Sequence, residues 1–149
     1  SKITKGISVS SSRKSNYRKT NETERTGLVT SRVGQGYFRQ QVLQRWDGKC
    51  AVTGSDVLSK MIASHIIPWS EASDYERLDV DNGILLSPLY DALFDKHLIS
   101  FDDEGNILFS AILTNDHISE LGISINAKIS IKDGMLKYLA RHREKLVNN

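Results

Sequence analysis

A chain of 149 residues with 39% apolar side chains has the length of one ordinary domain and enough apolar material for a core, which argues against a second full domain. No apolar run reaches the ~18 residues that would span a bilayer, and the first residues are polar, so a membrane span and an export signal are not expected and a cytoplasmic location is. A net charge of +2 and a pI near 8.7 are too mildly basic to mark a nucleic-acid binder alone, and a single cysteine, Cys50, excludes an intrachain disulfide and a cysteine-rich zinc site. Ser rather than Met at position 1 raises the expectation of a processed or truncated chain with a further domain upstream.

Residues 1–26 are rich in Ser, Thr, Lys and Arg and show little apolar periodicity, so they read as a basic flexible arm or linker. Lys2, Lys5, Arg13, Lys14, Arg18 and Lys19 precede any acidic residue, and the arm is either a solvated linker or a phosphate-touching segment. Residues 27–149 form the expected domain. Over 35–46, Phe38, Val42 and Trp46 recur at helical spacing with Arg39 and Arg45 off that face, and Gly48 closes the helix. CAVTG follows as a short strand or turn. Residues 60–69 (KMIASHIIPW) suit a strand ended by Pro68, the polar stretch SEASDYERLDVD a loop, and NGILLS a second short strand. Ser87 and Pro88 then supply an N-cap and a first-turn proline for a helix through LYDALFDKH. LISF and NILFS flank DDEG as a hairpin with Gly105 in its turn. Helical stretches are expected near 115–121 and over 133–146. The order strand, loop, strand, helix, with a helix before and a hairpin and helices after, is an α+β arrangement.

The informative residues lie between Ser64 and Asp95. Asp91 and Asp95 are four apart on one helix face, where like charges repel by roughly 0.2–0.5 kcal/mol, and Leu89 and Leu93 are expected on another face, toward the core. Such a pair can bind a hard divalent cation with oxygen ligands, or it is a plain solvated surface. His65 stands in a mostly apolar strand just before a turn. With an ordinary pKa near 6.5 it can be neutral and take a proton from water, or it is a hydrogen-bonded structural residue. Asn82 precedes Gly83 in a favourable turn dipeptide.

The order of these residues is more telling than any one of them. Asp91 follows Asn82 by nine positions, Asp95 follows Asp91 by four, and His65 lies upstream on a separate strand. With CAVTG, ASHIIPW and DNGILLSPLYDALFDKHLISFDDEG around them, these residues resemble the HNH nuclease family, in particular the HNH domains of bacterial restriction-type enzymes, over roughly residues 34–110 with a motif core about 60–98. The resemblance implies a ββα-metal fold and a metal-dependent DNA endonuclease. It implies His65 as general base, Asn82 as the residue that braces the loop and orients His65, Asp91 as the main metal ligand and Asp95 as the second. One divalent cation per active site, Mg²⁺ or else Mn²⁺, is implied, with products ending in 3′-hydroxyl and 5′-phosphate. Ser64 departs from the family, which often has Asp or His there as a further ligand, and a neutral hydroxyl is a weak substitute.

Double-stranded DNA is the implied partner, and Arg39, Arg77 and Lys96, with Arg45 and Lys49, are the cations expected to hold its phosphates. The cluster Arg141, His142, Arg143 and Lys145 reads as a solvated face ahead of a DNA contact, and Trp69 as packing rather than a base-stacking wedge. The implied role is the catalytic domain of a restriction or phage-defence protein with its recognition domain upstream, acting as a homodimer where both strands are cut. The alternative is a non-catalytic DNA-binding module that keeps the same fold.

Overall fold

The computed structural model describes residues 32–146, so the basic arm at 1–26 lies outside the described residues. Helix α1 (Arg32–Arg45) is followed by strand β1 (Ile62–His65), helix α2 (Asp74–Leu78), strand β2 (Gly83–Leu86), helix α3 (Pro88–Asp95), strands β3 (Ile99–Phe101) and β4 (Ile107–Phe109), and helices α4 (Asn115–Leu121) and α5 (Leu136–Glu144). β1 pairs antiparallel with β2, Ser64 opposite Ile84 and His65 opposite Gly83. β3 pairs antiparallel with β4 in a second two-stranded sheet. This is the α+β arrangement expected. Among the described residues no helix is long and apolar enough to cross a membrane.

Successive residues of a strand point to opposite faces, and β2 uses both. Leu85 packs with Phe38 and Val42 of α1, with Cys50 and with Met61 in a small core. Ile84 and Leu86 face the other way, into the larger core of Tyr90, Leu93, Phe94, Ile99, Phe101, Tyr138 and Leu139. Every residue of β2 is therefore buried. α1 covers one face of the hairpin and α3 the other. Gly83 sets the closeness of α1, because a Cβ there would lie 2.4 Å from Val42 Cγ2 and 2.9 Å from Phe38 Cζ.

The structure corrects several expectations. β1 is four residues long rather than spanning 60–69, because the chain turns away after His65 to carry residues 66–82 around the edge of the sheet. Of the two forms expected of CAVTG it takes the turn, closed by hydrogen bonds from Cys50 N–H to the Ser55 carbonyl and from Gly54 N–H to the Cys50 carbonyl. The polar loop holds α2, whose start is a capping box. The Ser73 hydroxyl accepts from Glu76 N–H while the Glu76 carboxylate accepts from Ser73 N–H. α3 begins at Pro88 as expected, but the Ser87 hydroxyl makes no capping bond. It ends at Asp95 because His97 adopts a left-handed φ of 59°. Leu89 is exposed; Tyr90, Leu93 and Phe94 take the inner face. The hairpin about Gly105 and the helix over 115–121 form where expected.

Of the C-terminal basic cluster, Arg141 and Lys145 are exposed as expected, while Arg143 is half-buried and His142 is not on a solvated face at all. His142 is 2% exposed, its ring stacked on Phe94 at 3.9 Å. Its Nε2 donates to the Phe94 carbonyl at 2.9 Å and its Nδ1 accepts from the Ser100 hydroxyl at 2.8 Å. Burial first, then the charges of His97, Arg143 and Lys145, hold its pKa down to about 4, so the ring is neutral. Arg143 reaches the Phe101 carbonyl and Asp103, while Arg141 and Lys145 pair with Glu76 and Glu71.

Candidate functional site

His65 closes β1 on the face that meets α1. Its imidazole stacks on the Phe38 ring at 3.7 Å with 7° between planes, and Trp69 meets it edge-on at 5.5 Å. Nε2 lies 2.8 Å from the Arg77 carbonyl. A carbonyl only accepts, so Nε2 carries the proton and Nδ1 keeps the lone pair in the neutral ring. Burial pulls the His65 pKa below 6.5; the Arg77 carbonyl opposes that shift and the Arg77 charge adds to it. The result is a neutral imidazole in one tautomer, which is the state a proton acceptor needs. Gly83, opposite His65 in the ladder, leaves the room in which Phe38 reaches the ring.

Asn82 ends a short 3-10 turn (Val80–Asn82) and is fully buried. Its Oδ1 accepts from Ile67 N–H at 2.8 Å, and its Nδ2 donates to the Glu76 carbonyl at 3.0 Å and the Ile67 carbonyl at 3.4 Å. One amide thus ties the start of the loop to α2. The Glu76 carbonyl it holds is next along the chain to the Arg77 carbonyl that receives His65 Nε2. Asn82 and His65 grip the same turn of α2 from two sides.

Ser64 precedes His65 and so faces the opposite way, toward α3, where it is buried and its hydroxyl donates to Asp91 Oδ1. Asp91 is half-buried in the first turn of α3, where the helix dipole favours a carboxylate. Asp95, one turn on, is exposed, and its charge acts on His97. The structure thus brings Ser64 to Asp91, and His65 and Asn82 to one loop.

The expected phosphate-holding cations are differently placed. Arg39 donates to the Met61 carbonyl at 3.1 Å, and Arg45 pairs with Asp81 at 2.7 Å. Arg77 donates from Nε to the Trp69 carbonyl at 2.9 Å, lies 3.6 Å from Asp74 and stands 4.8 Å over the Trp69 ring. Lys49 and Lys96 are exposed. Trp69 packs as expected, between His65 and Arg77. Sequence reasoning missed the Phe38 stack and the two α2 carbonyls; Ser73 and Glu76, three apart, were the available signal for α2.

Among the described residues no group of three or more His, Cys, Asp or Glu side chains stands close enough to hold a metal ion. The donors at hand are one carboxylate, Asp91, and one hydroxyl, Ser64. Both are hard oxygen donors. They fit a cation that keeps several waters and takes one or two carboxylates plus phosphate oxygens, as Mg²⁺ does, and not a closed zinc site.

Residues 50–102 match the family model of the HNH endonucleases. The match takes in β1, the loop with α2, β2, α3 and β3, and stops short of α1 and α5. No curated protein matches the chain.

Proposed function

From the HNH endonuclease match at residues 50–102, we propose that the chain is a metal-dependent DNA endonuclease in which His65 is the general base. The observation that carries this reading is the hydrogen bond from His65 Nε2 to the Arg77 carbonyl, which leaves Nδ1 as the acceptor. Water approaching Nδ1 gives up a proton there, and its oxygen attacks the phosphorus of the scissile phosphodiester. The bond from phosphorus to the 3′ oxygen breaks with its electron pair on that oxygen, which takes a proton from solvent, leaving a 3′-hydroxyl and a 5′-phosphate. Phe38 and Trp69 fix the ring plane so that Nδ1 does not have to be oriented at the moment of reaction.

Asp91 and Ser64 are the residues that would hold the cation, with Asp95 as the second carboxylate on the same helix. When bound, Mg²⁺ or Mn²⁺ supplies neutralisation of the charge that grows on the phosphate and the leaving oxygen. Asn82 keeps the loop, and through it the Arg77 carbonyl, in place. Exposed Lys96, at the C-terminal end of α3, is available to a DNA phosphate, whereas Arg39 and Arg77 must share their guanidinium groups with protein carbonyls.

The test is supercoiled-plasmid cleavage with Mg²⁺, with and without EDTA, beside His65→Ala. Loss of the general base is expected to slow cleavage by about 10²–10⁴-fold while DNA affinity in a gel-shift titration stays nearly constant. Equal rates for the two proteins would overturn the mechanism. DNA binding without any metal-dependent cleavage would instead favour a non-catalytic DNA-binding module.

A further inference from the structure

α5 and the turn that leads into it present Gly134, Tyr138, Arg141 and Lys145 at spacings of four, three and four, which puts all four on one helix face. Each meets a different residue of the 66–82 loop. Gly134 lies against the Asp81 carboxylate so closely that a Cβ would fall 1.9 Å from Oδ2. The Tyr138 hydroxyl donates to Asp79 Oδ2 at 2.6 Å, and Arg141 Nη1 donates to Glu76 Oε2 at 2.8 Å. Lys145 pairs with Glu71. The loop partners run 81, 79, 76, 71, so helix and loop lie antiparallel along the whole contact.

These loop carboxylates also organise the loop itself. Asp79 Oδ1 accepts from Asp81 N–H at 3.0 Å and caps the turn that ends in Asn82. Glu76 Oε1 accepts from Ser73 N–H at the start of α2. The backbone between them carries the two carbonyls that receive Asn82 Nδ2 and His65 Nε2. The stretch of loop on either side of the Arg77 carbonyl is therefore held from behind by α5, through Glu76 and Asp79.

We propose that α5 is a positioning clasp for His65, with Tyr138 and Arg141 as positioning residues that keep the Arg77 carbonyl on His65 Nε2. The inference rests on His65 being the general base, and it adds residues outside the 50–102 family match. Tyr138 dominates: its ring is fully buried, whereas Arg141 and Lys145 form exposed ion pairs of the kind that contribute little singly.

The experiment compares the full chain with Tyr138→Phe, Arg141→Gln and Arg141→Lys. The ¹⁵N shifts of the His65 ring are read by NMR without DNA or metal, and kcat and KM are read on plasmid with Mg²⁺. In Tyr138→Phe the two ring-nitrogen shifts should move toward each other as the tautomers mix. kcat should fall roughly tenfold to a hundredfold with KM within about twofold. Arg141→Gln, which cannot disturb the core and so carries the test if Tyr138→Phe fails to fold, should move both readouts the same way by less, and Arg141→Lys should restore part of the loss. Folded variants with a lower Tm but unchanged His65 shifts and kcat would overturn the clasp. A chain that cuts no DNA, yet whose His65 shifts move in Tyr138→Phe, would refute the nuclease reading and leave the clasp standing.

Discussion

On one face of the β1–β2 hairpin, His65 lies between Phe38 and Trp69 with a single backbone carbonyl on its Nε2. On the other, one residue earlier, Ser64 gives its hydroxyl to Asp91. The alternation of a strand is enough to separate the two jobs. The α1 face is aromatic and half-dry, which disfavours a charged imidazole and keeps a proton acceptor ready. The α3 face sets a hydroxyl against a carboxylate in the first turn of a helix. Two consecutive residues thus meet different surroundings, His65 two aromatic rings and Ser64 a carboxylate.

The largest effect should come from uncoupling the first face from its loop. Asn82→Ala leaves Ile67 N–H buried without its partner, at about 1–3 kcal/mol for the unsatisfied group, and takes from the Glu76 carbonyl one of its two donors, the other being Asp79 N–H. Thermal unfolding should show a marked fall in Tm, and cleavage should drop even in the fraction that stays folded. A Tm near that of the parent chain would mean that water takes over the amide's bonds.

Acid sharpens the comparison, because each face has a histidine held below its ordinary pKa. His142, on the α3 side, is lowered from 6.5 to about 4. The unfolded chain therefore binds a proton more readily than the folded one below pH 6.5. The stability this gives is full above 6.5, is lost as pH falls toward about 4, and amounts to roughly 3 kcal/mol at one pKa unit per 1.36 kcal/mol. Urea unfolding across that range should show the slope, and His142→Gln should flatten it. A slope unchanged by that substitution would reassign the acid sensitivity to other groups.

The smallest effect is the most specific to the α1 face. Phe38→Leu keeps the apolar fill but removes the stacked ring, at about 0.5–1.5 kcal/mol. The acid limb of the cleavage rate should lie below 6.5 in the parent chain, since burial lowers the His65 pKa, and should move up toward 6.5 in Phe38→Leu as water reaches the ring. A limb that does not move would show that Phe38 orients the ring without drying it.

Much of this was legible in the residue order, and the exceptions have physical causes. β2, α3 and the β3–β4 hairpin could be placed because apolar runs, Pro88 and Gly105 act locally. The spacing that singles out His65, Asn82 and Asp91 carries no sign of their contacts, which join His65 and Asn82 through α2 and Asp91 to Ser64. The bond from Ser64 to Asp91 has no sign in the sequence, which offers Ser64 only as a hydroxyl where the resemblance leads one to expect a ligand. What escaped was whatever depends on contact between distant segments. Leu89 looks like core by spacing, yet Tyr90, Leu93 and Phe94 already fill the inner face of α3. Arg141 and Lys145 are exposed as expected, but their pairing with Glu76 and Glu71 has no local sign. His142 has no local sign that it will be buried.

Gly83 sets a practical boundary on the part of this chain that can be moved elsewhere. With Val42 and Phe38 resting where its side chain would have been, the strand–strand–helix unit has no surface of its own on that side. Transplanting residues 50–102 alone into another scaffold would carry His65 across without the wall it leans on. A portable version of the site has to begin at α1, and the borrowing scaffold cannot substitute any residue for that glycine without pushing the wall away.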